Sequence, residues 1–477
     1  MKAKKPEDYI VLSKRYSTES IIDRISKLAI KIFRGNTNRF FTDVMINNYH
    51  SLLIPQTMLI DLLYAVVKYS GSSKVRINYG EFLELLRLFH NYQCRLSHDK
   101  KTIALHIFGS LGEQIMFQES DVKGKFSREK YILENVSARI DDGIDFCKEF
   151  YEETGMDTTT YSKILSMFLC YYTTPSNTIT YSILNEIAAY LSVPNEMVLS
   201  VMNRISCSFK DIIDSNLKRQ IFYTKPIINI ENTYYLSNPF LLLNKLIDSN
   251  YWVIRDKYCA SGSQRFINAF GKYFELYAEE VFNNTLEKEV IERIDENTEK
   301  RADWKITLGV YVLIIEQKST LPMISIKQNE TDVLAIKKQM FKCWREAIEQ
   351  LHSTEMAYGL NHPIKIILSY DDYFNPEILD ELFNKEIYIE NDGYYWLVSI
   401  DELEELLYLF KNNKMKFNEI IEDKIQLEIS HSNKGRDLSL LFRKHGIKRN
   451  EYIREYGIYK EFEKIQGQDE SNSTADD

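Results

Sequence analysis

The sequence predicts an α+β protein: a large all-α N-terminal region followed by an α-β-β-β-α-β core. Three observations carry this. Glycine and proline are scarce, 17 and 9 in 477 residues, which favours long helices over a loop-rich β architecture. From Ser20 to about Ser215, apolar residues recur at helix spacing. Beyond Ser263 the period changes, and short β-branched and aromatic runs alternate with amphipathic stretches.

In the N-terminal region, Ile21, Ile22, Ile25, Leu28, Ala29 and Ile32 form a first stripe. Leu59, Leu62, Leu63, Val66 and Val67 form a second, and Phe82, Leu83, Leu85, Leu86 and Phe89 a third. Further helices are expected over 130–151, 161–172 and 182–191. The stretch 94–101, CRLSHDKK, reads as a polar loop, with His98 beside Asp99 in a solvated turn rather than a catalytic pair. Residues 178–205 read as two short helices broken at Ser192-Val193-Pro194-Asn195, and a hairpin follows at 227–236. That is the outline of a winged helix-turn-helix. A plain helical hairpin closing the region is the alternative, because only Asn203 and Arg204 are obvious base readers on the second helix. The expected division is a helical region 1–215, then a bridge 216–262 holding the hairpin, a helix at 239–248 and then the stretch 256–263. Ala260-Ser261-Gly262-Ser263 is the clearest punctuation before the next unit, 263–410.

That unit opens on a helix over about 264–283, with Phe266, Phe270, Phe274, Tyr277, Ala278 and Val281 on one stripe. Glu275 and Glu279 share another face, one turn beyond Gly271. A first strand is expected at 289–294. Asp303 then opens a short strand, 304–307, with a turn near Leu308 and Gly309. The run Tyr311 to Ile315 has the composition of a strand buried on both faces, and at its end the chain turns polar as Glu316, Gln317 and Lys318. Alternation puts Glu316 and Lys318 on one side of that strand and Gln317 on the other. Stranding either charge alone at a buried strand end would cost several kcal/mol or more, so the pair is not mere packing. A hairpin between the two strands brings Asp303 back beside Glu316.

After Lys318, residues 331–351 are amphipathic, with Val333, Ile336, Met340, Trp344, Ala347 and Leu351 as the buried stripe. Lys337, Lys338, Lys342 and Arg345 flank it, either to hold a phosphate backbone or as a solvated face with Glu346 and Glu349. Strands are expected at 364–368 and 394–400, and a helix from Ser399, a capping serine before an acidic first turn. A basic helical appendage follows over 411–466, either contacting nucleic acid or packing on the body. The tail, 467–477, is disordered by composition.

The whole carries a formal charge of −9. This argues against a non-specific coat on nucleic acid but leaves local basic patches open. Six isolated cysteines form no CxxC and the histidines no zinc spacing, so the reading is a reduced, cytoplasmic protein. No apolar run is long enough to span a bilayer, and there is no GxxxxGK[ST] phosphate loop.

Asp303, the turn near Gly309 and Glu316-Gln317-Lys318 resemble the signature of the PD-(D/E)XK, restriction-endonuclease-like nuclease superfamily. In that pattern an aspartate opens the second core strand and Glu-X-Lys lies on the third. Ala302 stands where the pattern has proline, a position that supplies no ligand. The resemblance covers about 264–407, under a third of the chain. It implies a metal-dependent endonuclease hydrolysing phosphodiester bonds, most often of DNA. The implied catalytic residues are Asp303, Glu316 and Lys318. Asp303 and Glu316, with Glu275 on the preceding helix, would hold Mg²⁺ or Mn²⁺, the ions suited to hard oxygen ligands. The alternatives are a ribonuclease effector, or a non-catalytic nucleic-acid-binding or sensor protein whose three polar residues form an ion-pair network. A large helical half on one nuclease-like unit, with no ATPase, helicase or methyltransferase motif, further resembles a stand-alone prokaryotic anti-phage effector. In that setting a second copy of the chain or a phage-derived trigger would be a partner, and the helical half would decide when and where cutting occurs.

Overall fold

A computed structural model describes residues 8–35, 41–47, 50–93, 121–141, 143–174, 177–216, 218–294, 300–319, 342–370, 395–429, 438–448 and 450–466. It is mixed helix and sheet. The N-terminal half is not all helical, as the stripes alone suggested. Helices α1 (Asp8–Ser13) and α2 (Thr18–Phe33) are followed by an antiparallel pair, β1 (Phe41–Asn47) with β2 (His50–Pro55). Short apolar runs such as SLLIP fit a strand as well as a helix turn, and cross-strand pairing decided the outcome. Helices α3 (Gln56–Lys68) and α4 (Tyr79–Gln93) carry the second and third stripes, with Leu59, Leu62, Phe82 and Leu85 fully buried.

The helix expected over 130–151 is also broken. Helix α5 (Val122–Tyr131) passes into a π turn at Ile132–Val136, and α6 (Phe146–Thr154) restarts behind an Asp145 cap that accepts from the Lys148 amide. Helix α7 (Thr158–Tyr172) is capped in the same way by Asp157. Next come β3 (Thr178–Thr180), α8 (Tyr181–Leu191), α9 (Asn195–Arg204) and β4 (Ser206–Cys207). Helices α10 (Phe209–Asp214) and α11 (Ile221–Thr224) precede the hairpin β5 (Ile227–Ile230) and β6 (Thr233–Leu236). The four strands order as β3-β6-β5-β4, so the short strand before α8 pairs with the outgoing arm of the hairpin. In the bridge, the helix expected at 239–248 runs on unbroken to Ala260 as α12 (Pro239–Ala260), opened by Asn238 and Pro239.

Helix α13 (Arg265–Thr285) begins the second sheet's layer, followed by β7 (Ile291–Arg293), β8 (Trp304–Leu308) and β9 (Tyr311–Lys318) as an antiparallel meander. Gly309, at φ +64°, supplies the left-handed residue of the β8–β9 turn. Helix α14 (Lys342–Tyr358) leads to β10 (Ile364–Ser369), parallel to β9, and β11 (Tyr395–Ser399) adds in parallel beyond it. The order is β11-β10-β9-β8-β7. Alternation sorts the faces: Trp304, Ile306, Leu313 and Ile315 pack with Phe270, Tyr277 and Phe282 of α13. Ile314 and Ile367 pack with Ala347, Ile348 and Leu351 of α14. Helix α15 (Ile400–Asn412) is capped by Ser399, with Glu402 closing a reciprocal capping box, as its sequence requires.

Helices α16 (Lys414–Ile429), α17 (Leu438–Lys444), α18 (Glu451–Glu455) and α19 (Lys460–Gln466) finish the described chain. They pack on the body, burying Tyr452, Ile453, Phe462 and Ile465. Their cations Lys416, Lys444, Arg454 and Lys464 pair with Glu419, Asp423, Glu451 and Glu461.

The punctuation near Gly262 does not separate two cores. One cluster joins Phe126, Phe150 and Phe168 to Tyr251, Phe266, Trp304, Leu403 and Tyr452. A second joins Ile22, Leu59 and Phe82 to Ile228 and Leu241. Helix α5 lies within the first cluster, packed on α12 and α19, and buries three consecutive charged residues. Arg128 Nε and an Nη donate to the two oxygens of Glu404, both at 2.7 Å, and the guanidinium also pairs with Asp401. Glu404 further accepts from Tyr277 Oη (2.6 Å) and Asn450 Nδ2 (2.5 Å). Glu129 accepts from the Tyr251 amide at 3.0 Å, and Lys130 donates to Thr159 Oγ1 at 2.6 Å. Burial works against the Arg128 charge, but Asp401 and Glu404 outweigh it and hold its pKa well above the ordinary value. Among the described residues, no helix is long and apolar enough to cross a membrane.

Candidate active site

The β8–β9 hairpin sets the site. Trp304 pairs with Ile315, and the Asp303 amide donates to Ile315 O at 3.0 Å, so Asp303 is in register with Glu316. The carboxylate then turns onto β9, and its Oδ2 accepts from the Gln317 amide at 2.6 Å. Glu316 and Lys318 extend from the face that carries Ile314, beneath α14. Glu316 is 2% exposed, and its Oε1 accepts from Lys318 Nζ at 2.5 Å. Gln317 faces α13, where Trp304 Nε1 donates to its Oε1 at 2.7 Å.

Sequence reasoning missed Gln350. From α14 its Oε1 accepts from Lys318 Nζ at 3.2 Å, and its Nε2 donates to Arg301 O at 3.0 Å. One turn on, Thr354 Oγ1 accepts from the Ala302 amide at 2.8 Å. Gln350 therefore ties the segment leading into Asp303 to the lysine that leaves β9. Its one sequence signal is a polar residue directly before Leu351 of the buried stripe, and that marks any amphipathic flank equally well. Parallel strands β9 and β10 end together, Ser369 lying in register with Lys318, so the polar groups stand at carboxyl ends of strands, where open α/β sheets place ligands.

Glu275 is not brought against the other two carboxylates by any described contact. It forms an ion pair with Arg293 of β7, whose other Nη lies 3.9 Å from Glu279. Helix α13 nevertheless abuts the site: a Cβ on Gly271 would stand 3.3 Å from Ser319 Oγ, one residue past Lys318. Among the described residues no group of three or more His, Cys, Asp or Glu side chains gathers at metal-binding distance. Asp303 and Glu316 remain as two hard-oxygen donors in adjoining register. Two carboxylates suit Mg²⁺, which keeps several waters and binds through one or two carboxylates plus substrate phosphate.

Of the four cations expected along a phosphate backbone, Lys337 and Lys338 lie outside the described residues, as do His98 and Asp99. Lys342 is the first residue of α14, and Arg345 is exposed with its Nε donating to Glu349 at 3.0 Å. Of the two base readers suggested on α9, Asn203 is exposed, whereas an Arg204 Nη donates to Glu153 O at 2.9 Å and Oε1 at 3.0 Å. Comparison with known protein families, characterised proteins and solved structures finds no match to this chain.

Proposed function

We propose that the chain is a metal-dependent phosphodiesterase of the restriction-endonuclease-like kind, an endonuclease acting on nucleic acid and on DNA first. The observation that carries this reading is the hairpin register that sets Asp303 beside Glu316 with Lys318 on the same strand end. In the mechanism this suggests, Asp303 and Glu316 hold the divalent cation. When bound, that ion supplies charge that makes a water nucleophilic at neutral pH and offsets the phosphoryl oxygens. The chain's own part is positional. Lys318 Nζ gives one N–H to Glu316 and one to Gln350, and an ammonium has three. The third is left, among the described residues, to orient the attacking water or to donate to a phosphoryl oxygen in the transition state. Gln350 fixes the ammonium in that direction, and the Gln317 amide fixes the Asp303 carboxylate.

The helical half joined to this unit supports a role in prokaryotic defence against foreign DNA, an argument from architecture alone. The second reading is a non-catalytic, nucleic-acid-binding scaffold, favoured by Lys318 already being engaged by Glu316 and Gln350 within the chain. Incubating the protein with plasmid, linear DNA and RNA, in Mg²⁺ and in chelator, separates the two. Cleavage in Mg²⁺ that is lost in chelator, in Asp303→Asn and in Lys318→Ala is the expected result. Undiminished cleavage by both folded variants would refute the site, and absence of metal-dependent cleavage on all three substrates would leave the scaffold reading.

A further inference from the structure

The N-terminal stretch carries charge of the opposite sign to the chain as a whole. Residues 1–93 hold 14 Lys and Arg against 8 Asp and Glu, a surplus of six cations in a protein whose formal charge is −9. Part of that surplus gathers at one seam, where the loop 69–78 between α3 and α4 lies against the turn joining α1 to α2. The turn presents Lys14 and Arg15, the loop presents Lys74 and Arg76, and all four are exposed. Backbone contacts hold the two segments together. Ser73 Oγ donates to Arg15 O at 2.8 Å, the Ser17 amide to Val75 O at 2.7 Å, and the Ile77 amide to Ser20 Oγ at 3.1 Å. Gly71 permits the close approach, since a Cβ there would stand 2.8 Å from Lys14 O.

Other cations of this unit have carboxylates of their own: Lys27 pairs with Asp23 at 2.8 Å and Arg87 with Glu84 at 2.7 Å. Lys14, Arg15, Lys74 and Arg76 have none at ion-pairing distance among the described residues. Glu19 and Glu81, in the first turns of α2 and α4, instead accept from Tyr235 Oη at 2.6 Å and Asn78 Nδ2 at 2.7 Å. Like charges pinned together work against the compact state until an anion offsets them. The segment with the outline of a winged helix has the opposite character. Glu186, Glu196 and Glu231 are exposed on it, and Arg204 is engaged by Glu153.

We propose that the seam of Lys14, Arg15, Lys74 and Arg76 is a phosphate-binding surface, through which the N-terminal unit holds a nucleic-acid backbone without reading its bases. The choice of polyanion rests on the nuclease reading above. Lysine and arginine on a fixed loop position a backbone and carry no sequence information of their own. An anionic membrane is the competing polyanion, but anchoring there takes a broad apolar face beside the charge. The loop instead exposes Val75 and Tyr79 among Ser72, Lys74, Arg76 and Asn78.

The test measures binding of the full chain to a labelled DNA duplex of arbitrary sequence by fluorescence anisotropy, in EDTA so that nothing is cut. Each cation seated on a phosphate contributes about 0.9 to the slope of log affinity against log salt. Four of them weaken binding by about 150-fold between about 50 and 200 mM KCl. Lys74→Gln/Arg76→Gln should make that slope shallower by about two, and Lys74→Arg/Arg76→Lys should keep it. Lys288→Gln/Lys448→Gln removes two exposed cations elsewhere and should leave the slope unchanged. An unchanged slope in Lys74→Gln/Arg76→Gln, an equal change in Lys288→Gln/Lys448→Gln, or no duplex binding by wild type overturns the proposal. So does wild-type binding to phosphatidylserine vesicles that Lys74→Gln/Arg76→Gln loses while its duplex binding stays intact. Asp303→Asn should bind the duplex as wild type does, so the two readings fail separately. Metal-dependent cleavage with no effect of the Lys74 and Arg76 changes on binding overturns the surface alone. The expected slopes with no cleavage of any substrate overturn the nuclease reading alone.

Discussion

Replacing Lys318 by Met removes the cation facing Glu316 while keeping the aliphatic stem. Glu316 is 2% exposed, and taking one partner from a fully buried ion pair costs about 3–5 kcal/mol. The Lys318 side chain is 18% exposed, so part of that field is already screened and about 2–3 kcal/mol is expected. A chain of this length unfolds with an entropy of about 1 kcal/mol per kelvin, so the midpoint in chelator should fall by about 2–3 °C. A divalent cation at about a hundred times its Kd returns about 2.7 kcal/mol. Excess Mg²⁺ should therefore bring Lys318→Met back to the stability of wild type in chelator. Thermal unfolding of wild type, Lys318→Met and Asp303→Asn/Lys318→Met, each in EDTA and in Mg²⁺, measures this. The reasoning fails if Lys318→Met loses no stability in EDTA, or if Mg²⁺ restores the double variant as fully as the single one.

Gln350→Ala should lower turnover about 10- to 100-fold, the usual effect of losing a group that orients a catalytic one, with KM little changed in steady-state kinetics. Arg128→Met strands Asp401 and Glu404 in the interior and should cost about 3–5 kcal/mol by denaturant unfolding, with Glu404→Gln recovering part of the loss in the double variant. Burial pushes the Glu405 carboxyl from 4.5 up to about 7, so the folded chain binds that proton more tightly than the unfolded one. Its contribution, about 3 kcal/mol, is fully present below about pH 4.5 and is lost as pH rises through about 7; unfolding midpoints across that window should flatten in Glu405→Gln.

The hairpin was legible because its signal is chemical and local. A buried run ends abruptly in Glu316-Gln317-Lys318, a glycine sits at the turn, and alternation assigns the faces. Strand β10 and the Ser399 cap were legible for similar reasons, an unbroken apolar run and a four-residue capping pattern. What the sequence hid depends on tertiary partners. Arg128, Glu129 and Lys130 look like a solvated helix face, and partners distant in sequence, among them Asp401, Glu404, the Tyr251 amide and Glu461, make their burial tolerable. The helix expected to end at Asp248 continues as α12 through Ser249 and Asn250, both buried within it. The β1–β2 pair was lost because short apolar runs are ambiguous between helix and strand. Arg293 lies eighteen positions from Glu275 in sequence, and no spacing rule couples a strand residue to a helix across that gap.

The interior that runs unbroken past Gly262 has a practical side. Gly262 sits in an exposed turn between α12 and α13, the kind of place where a backbone can be opened without losing buried hydrogen bonds. On either side of it Tyr251 and Tyr258 pack against Phe266 and Phe270. Two polypeptides divided at this turn would each expose one half of that aromatic seam and find their complement only in the other. The chain is thus suited to reconstitution from two co-expressed pieces, with activity appearing only where both are made, and poorly suited to having its C-terminal half grafted alone onto a different host.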